Sequence, residues 1–166
     1  PVFKEQVAEI IFDLEKNEQI NLVGHSTGGL IIRNFLAKTE HLNKINRAVL
    51  IATPNSGSQL AKLAGEYSKL FVRVFKTLNS LQPEQLKEIE LDIPPEVEVG
   101  AIAGNKEKLV LGKLLAGEND GRVLVESVQD EDLADFVVLP YGHKEIHYKF
   151  KTAQLVDSFL KRGRFN

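Results

Sequence analysis

A serine enclosed by glycines, Gly24-His25-Ser26-Thr27-Gly28-Gly29, is the stretch of this sequence best suited to bond-making chemistry. A serine hydroxyl is a weak nucleophile until a nearby base takes its proton and an acid orients that base. The histidines His25, His41, His143 and His147 are the available bases, and the absence of cysteine removes the rival thiol nucleophile. Gly-x-Ser-x-Gly alone is a weak signal, since at ~7% Gly and Ser it arises in roughly one chain in twenty of this length. Its setting gives it weight. Ile20-Asn21-Leu22-Val23 reads as a short strand running into Gly24, and the close-packed Leu30, Ile31, Ile32, Phe35 and Leu36 read as a helix behind it. A sharp turn from strand to helix lifts a serine Oγ to the carboxyl end of a sheet, and the backbone N–H of the next residue, here Thr27, then faces a developing oxyanion. A phosphate loop of the Walker type would need Gly-Lys-Ser/Thr, which the chain lacks.

The elements that would have to position this turn follow from apolar spacing. Val7, Ile10, Ile11 and Leu14 predict a first helix with one buried face. Ala48-Val49-Leu50-Ile51-Ala52, stopped by Thr53-Pro54, is a continuous apolar run of the kind found in strands covered on both faces. Between residues 60 and 81, apolar positions from Leu60 to Leu81 recur at helical spacing, closed by Gln82-Pro83 and Pro94-Pro95. That segment is either a core-covering helix or a cap over a cleft for an apolar ligand. Val97 to Gly104 and Phe136 to Leu139 read as two further strands, with Val123-Leu124-Val125 as a short extended piece after the turn-forming Asn119-Asp120-Gly121. A last helix places Ala153, Leu155, Val156, Phe159 and Leu160 on its apolar side. Helix and strand alternate, which predicts an α/β domain around a parallel sheet.

With these elements in place, the sequence resembles the α/β-hydrolase superfamily, in particular its lipase and esterase branch, where Gly-His-Ser-x-Gly-Gly is a common nucleophile turn. Ala52-Thr53-Pro54-Asn55-Ser56-Gly57-Ser58 is similar to the Thr-Pro-x-x-Gly-Ser/Thr segment of many lipases. Gly117-Glu118-Asn119-Asp120-Gly121-Arg122-Val123 is similar to the family's acid loop, and Leu139-Pro140-Tyr141-Gly142-His143 to its histidine loop. The resemblance implies a triad in the order serine, acid, histidine: Ser26, Asp120 and His143. His147, in the polar stretch after His143, is the alternative base. His25 fills the variable position of the turn and is read as structural, and His41 as a solvated helix-end residue. Glu118 shares the acid loop and is the nearest rival acid, while Asp130, Asp132 and Asp135 form an acidic run read as solvated surface. Asp120 also falls later after Gly104 than the simplest version of the fold places its acid. In the family, strands precede the serine and a His-Gly type loop among them supplies a second oxyanion N–H. Residues 1–20 hold one helix and no such loop, so the resemblance implies leading strands upstream of Pro1.

Composition sets the outer bounds. The chain has 166 residues, 43% of them hydrophobic, with 21 basic and 23 acidic side chains and a net charge of -2. This fits one soluble α/β-hydrolase domain over 1–166, with a helical cap or insertion at 59–95 inside it. The charge balance argues against nucleic acid as a partner, and no apolar run reaches the roughly 18 residues that cross a bilayer. Asn119-Asp120-Gly121 lacks the spaced ligands of a calcium loop, and no cofactor or metal is called for. The expected activity is hydrolysis of a small-molecule acyl ester or lipid through an acyl-enzyme. A thioesterase, an acyltransferase and a catalytically silent ligand- or protein-binding domain are the alternatives.

Overall fold

The computed structural model of the chain describes residues 2–55, 92–106 and 117–166. Within them the order is α1 (Val2–Asp13), β1 (Ile20–His25), α2 (Thr27–Leu36), β2 (Ile45–Ile51), β3 (Glu98–Gly104), α3 (Val125–Val128), β4 (Asp135–Leu139) and α4 (Phe150–Arg162). The strands form one sheet in the order β1-β2-β3-β4, all parallel, with Val23 beside Val49, Leu50 beside Ala101 and Ile102 beside Val137. This is the expected α/β fold with a parallel sheet.

Alternate residues of the central strands feed two separate cores, as the two-residue period of a strand requires. Ala48 and Leu50 of β2 join Val99 and Ala101 of β3 on the face covered by Val7 and Ile11 of α1 and by Ile32, Phe35 and Leu36 of α2. Val49, Ile51 and Ile102 point the other way, against Ile146 and the Leu155 and Phe159 side chains of α4. Burial on both faces explains why the second half of β2, from Ala48 to Ile51, is an unbroken apolar run. The cap of α4 is Gly163, left-handed at φ 75, whose N–H donates to the Phe159 carbonyl at 2.8 Å.

Several expectations are corrected in detail. Ile10 is 52% exposed, so the buried stripe of α1 is narrower than the spacing suggests. β2 ends at Ile51: Ala52 donates its N–H to the Ile102 carbonyl of β3 at 2.8 Å and there turns to φ 49. The extended piece at 123–125 is reduced to one bridge between Asn119 and Leu124, and Val125 begins the short helix α3. Val125 donates its N–H to the Glu118 carbonyl at 2.8 Å and accepts from Gln129 at 3.2 Å, which closes a helical turn instead of a strand. The apolar segment 60–81, and the cap at 59–95 except for the loop and turn residues 92–95, lie outside the described residues. Among the described residues, no helix is long and apolar enough to cross a membrane.

Candidate active site

Ser26 stands between β1 and α2 with φ 55 and ψ -123, a conformation that costs a non-glycine residue roughly 1–3 kcal/mol. Its surroundings hold it there. Its N–H continues the parallel ladder to the Ile51 carbonyl at 2.8 Å, and its own carbonyl accepts the Gly29 N–H at 3.0 Å and the Thr53 hydroxyl at 3.1 Å. Ser26 occupies the N-cap of α2, where a serine ordinarily bonds its hydroxyl to the helix, yet it makes no such bond. The hydroxyl is turned instead toward His143, with Oγ 3.0 Å from Nε2.

The turn depends on close approach at Gly24, by the backbone of Gly28 and Gly29, and at Gly29, by the Thr53 side chain. A Cβ on Gly24 would lie 2.7 Å from the Gly29 nitrogen, and one on Gly29 would collide with the Thr53 hydroxyl. Around Gly28, the last glycine of the five-residue pattern, a Cβ would meet nothing within 4 Å. Of the two adjacent glycines, steric necessity therefore falls on Gly29.

His143 arrives from β4 through Pro140-Tyr141-Gly142 and is 3% exposed. Its Nδ1 is 2.7 Å from Oδ2 of Asp120, which is 1% exposed. With Nδ1–H donating to that carboxylate, Nε2 presents its lone pair to the Ser26 hydroxyl. Oδ1 of Asp120 accepts the N–H groups of Arg122 at 2.9 Å and Val123 at 2.8 Å, which fixes the carboxylate plane. The loops that carry Asp120 and His143 cross over the end of β3 at Gly104, where a Cβ would lie 2.9 Å from the Asp120 Cβ and strike the Tyr141 carbonyl. A side chain there would force the two loops apart.

The rival residues are otherwise engaged. His147 is exposed and stacks on His25, with ring centroids 4.4 Å apart. Glu118 accepts a hydrogen bond from the Asn105 amide at 2.6 Å. Asp132 and His41 are exposed, as a solvated reading expects. Asp130 and Asp135 are corrections to that reading, being half-buried structural acids. Asp130 pairs with Arg33 at 2.9 Å, and Asp135 accepts the Phe165 N–H at 2.7 Å. His25 is also tied in: its Nε2 lies 3.0 Å from the His143 carbonyl. Burial first, and then the neighbouring His143 and His147, lower its pKa from the ordinary 6.5 to about 4.

Three residues that support the turn were not singled out as site residues, though Thr53 and Asn55 lie in the Thr-Pro segment that resembles lipases. Thr53 clamps the Ser26 carbonyl. Arg33, 3% exposed on α2, donates to the Asn55 carbonyl at 2.9 Å as well as to Asp130. Asn55 donates its side-chain amide to the Val128 carbonyl at 2.7 Å and its N–H to the Ser127 carbonyl at 2.6 Å. For Arg33 the available signal was an arginine set inside the apolar stretch from Leu30 to Leu36.

Residues 2–88 match the family model described as the alpha/beta hydrolase fold. The chain belongs to the α/β-hydrolase family. Solved structures with the same fold include the mature lipase BlEst2 of Bacillus licheniformis, with 20% identity and a TM-score of 0.59 over 96% of this chain and 70% of that one. A metagenomic carboxyl esterase matches with 17% identity and a TM-score of 0.56 over 90% of this chain, which spans 54% of that protein. At these identities the likeness is one of fold. No curated protein sequence matches the chain significantly. As in other α/β hydrolases, the serine turn lies at the carboxyl end of the sheet, where the loops after β3 and β4 also meet.

Proposed function

We propose that this α/β hydrolase is a serine hydrolase of carboxylic esters that works through Ser26, His143 and Asp120. The observation that carries the reading is the pair of contacts at His143, with Nε2 3.0 Å from Ser26 Oγ and Nδ1 2.7 Å from Asp120 Oδ2. In this reading Ser26 Oγ attacks the acyl carbonyl carbon while His143 Nε2 takes its proton. Asp120 stabilises the imidazolium that forms, and the Thr27 N–H, at the first position of α2 where no intrahelical acceptor exists, faces the oxyanion. His143 returns the proton to the leaving alkoxide, which departs as the alcohol and leaves an acyl-Ser26 ester. Water, deprotonated by His143, attacks that ester, and collapse of the second tetrahedral intermediate frees the carboxylic acid and restores Ser26.

The substrate proposed is a small-molecule acyl ester or lipid, on the strength of the apolar helical spacing between residues 60 and 81. The whole of 1–166 is proposed as one domain, with 59–95 as a helical cap. Carboxylesterase and lipase neighbours of the same fold support the choice of ester over amide. The test is hydrolysis of a series of p-nitrophenyl esters from acetate to palmitate. Turnover that disappears in Ser26→Ala supports the reading, and equal rates in the two proteins would overturn it. Release of ester product from an added alcohol acceptor would mark an acyltransferase instead.

A further inference from the structure

We propose that His25 is a positioning residue for His143, holding the main chain of the base in register with the nucleophile by donating its Nε2–H to the His143 carbonyl. The proposal rests on the ester-hydrolase reading for its catalytic consequence, and on geometry alone for the positioning itself.

The contacts form two parallel tiers. In the side-chain tier, His143 bridges Ser26 Oγ at 3.0 Å and Asp120 Oδ2 at 2.7 Å. In the main-chain tier, the His143 N–H donates to the Asp120 carbonyl at 2.9 Å, and the His143 carbonyl accepts from His25 Nε2 at 3.0 Å. The same three chain segments are therefore linked twice, since His25 is the immediate neighbour of Ser26. Because a carbonyl oxygen only accepts, His25 must carry its proton on Nε2. The His143 backbone is thus pinned at both ends, by the acid's segment on one side and the nucleophile's segment on the other.

Ring packing completes the arrangement. The His25 ring lies 4.9 Å from the His143 ring and 4.4 Å from that of His147, tilted by 43° and 32°. The titratable groups acting on it are His143, His147 and Asp120. With its pKa lowered to about 4, chiefly by burial, His25 is neutral near pH 7 and adds no positive charge beside the imidazolium that catalysis would create on His143. A packing role would be met by any flat apolar ring. The positioning role needs a donor at the Nε2 position.

That difference defines the test. His25→Phe keeps a ring and loses the donor, whereas His25→Gln keeps an amide donor of similar reach. The first readout is the rate at which a fluorophosphonate phosphonylates Ser26, followed across pH. His25→Phe is expected to slow it by up to about 100-fold, the scale of a small misplacement of a catalytic group, with His25→Gln within about threefold of the parent. The second readout is the Nδ1–H proton resonance of His143 by NMR, sharp in the parent and in His25→Gln and broadened by solvent exchange in His25→Phe. A parent-like rate and a sharp resonance in His25→Phe would overturn the proposal. If the parent is not phosphonylated at Ser26 but the resonance still depends on the His25 donor, the positioning role stands and the hydrolase reading falls. Should His25→Phe fail to fold, the nitrogen shifts of His25 in the unmodified protein decide: an Nε2–H tautomer is required, and an Nδ1–H tautomer contradicts it.

Discussion

Arg33 and Asp130 form an ion pair at 2.9 Å with side chains only 4% and 14% exposed, joining the helix behind the serine to the segment that follows the short helix α3. Removing one partner of a buried pair leaves an uncompensated charge, which typically costs ~3–5 kcal/mol. Arg33→Met is expected to destabilise toward the lower end of that range, because Asp130 retains some exposure. Urea unfolding of Arg33→Met and of Arg33→Met/Asp130→Leu provides the check. The double variant should recover part of the loss, and a single variant within about 0.5 kcal/mol of the parent would show the pair to be dispensable.

The two adjacent glycines of the turn should respond oppositely to a methyl group. Gly29→Ala drives a Cβ into Thr53, so a loss of roughly 1–3 kcal/mol or more is expected, together with loss of the serine's geometry. Gly28→Ala enters open space in the first turn of a helix and should be neutral or stabilising by up to about 1 kcal/mol. Thermal unfolding of both variants distinguishes the two, and equal effects would contradict the assignment of the close approach to Gly29.

Acid should weaken the fold at His25. Between pH 6.5 and about 4 the unfolded chain takes up a proton at this residue that the folded chain resists. Stability from this group is therefore complete above the ordinary value and is lost as pH falls through the window. The cause is burial first, then the His143 and His147 rings, partly opposed by the His143 carbonyl and Asp120. His25→Gln should flatten the rise of unfolding free energy with pH across this range. Parallel pH profiles for the parent and His25→Gln would contradict it.

Asp120→Asn keeps the shape of the acid loop, since one oxygen still accepts from Arg122 and Val123. Its amide, however, meets Nδ1 of His143 with a donor, which favours the tautomer carrying a proton on Nε2 and removes the acceptor for Ser26. Turnover of a p-nitrophenyl ester should fall by about 10,000-fold with little change in unfolding temperature. A drop of only a few fold would place the orienting acid elsewhere.

The four strands and the serine turn were legible because each is written locally, whereas the meeting of Ser26, Asp120 and His143, across as many as 117 positions, was reached only through the resemblance to a family. A two-sided apolar run specifies a buried parallel strand, and a glycine-flanked serine between strand and helix specifies a strained turn. Long-range contacts outside the quoted motifs were not legible. Nothing near Arg33 announces a partner 97 positions away, and that partner makes Asp130 structural where its acidic neighbours suggest a solvated run. Periodicity also overstated α1, since Ile10 fits the helical spacing but lies at the margin of the face that β-strand packing can cover. The pattern Gly-x-Ser-x-Gly drew attention to Gly28, whereas contact with Thr53 places the steric demand one residue later. His25 illustrates the same limit from the other side. Its position in the turn is variable by pattern, and only the fold brings the His143 carbonyl within its reach.

The most direct measurement is the site and dependence of fluorophosphonate labelling, read by intact mass and peptide mapping. One phosphonyl adduct per chain is expected, mapped to Ser26, absent in Ser26→Ala and strongly slowed in His143→Ala. Labelling at another residue, or at Ser26 with no dependence on His143, would contradict a triad-driven nucleophile.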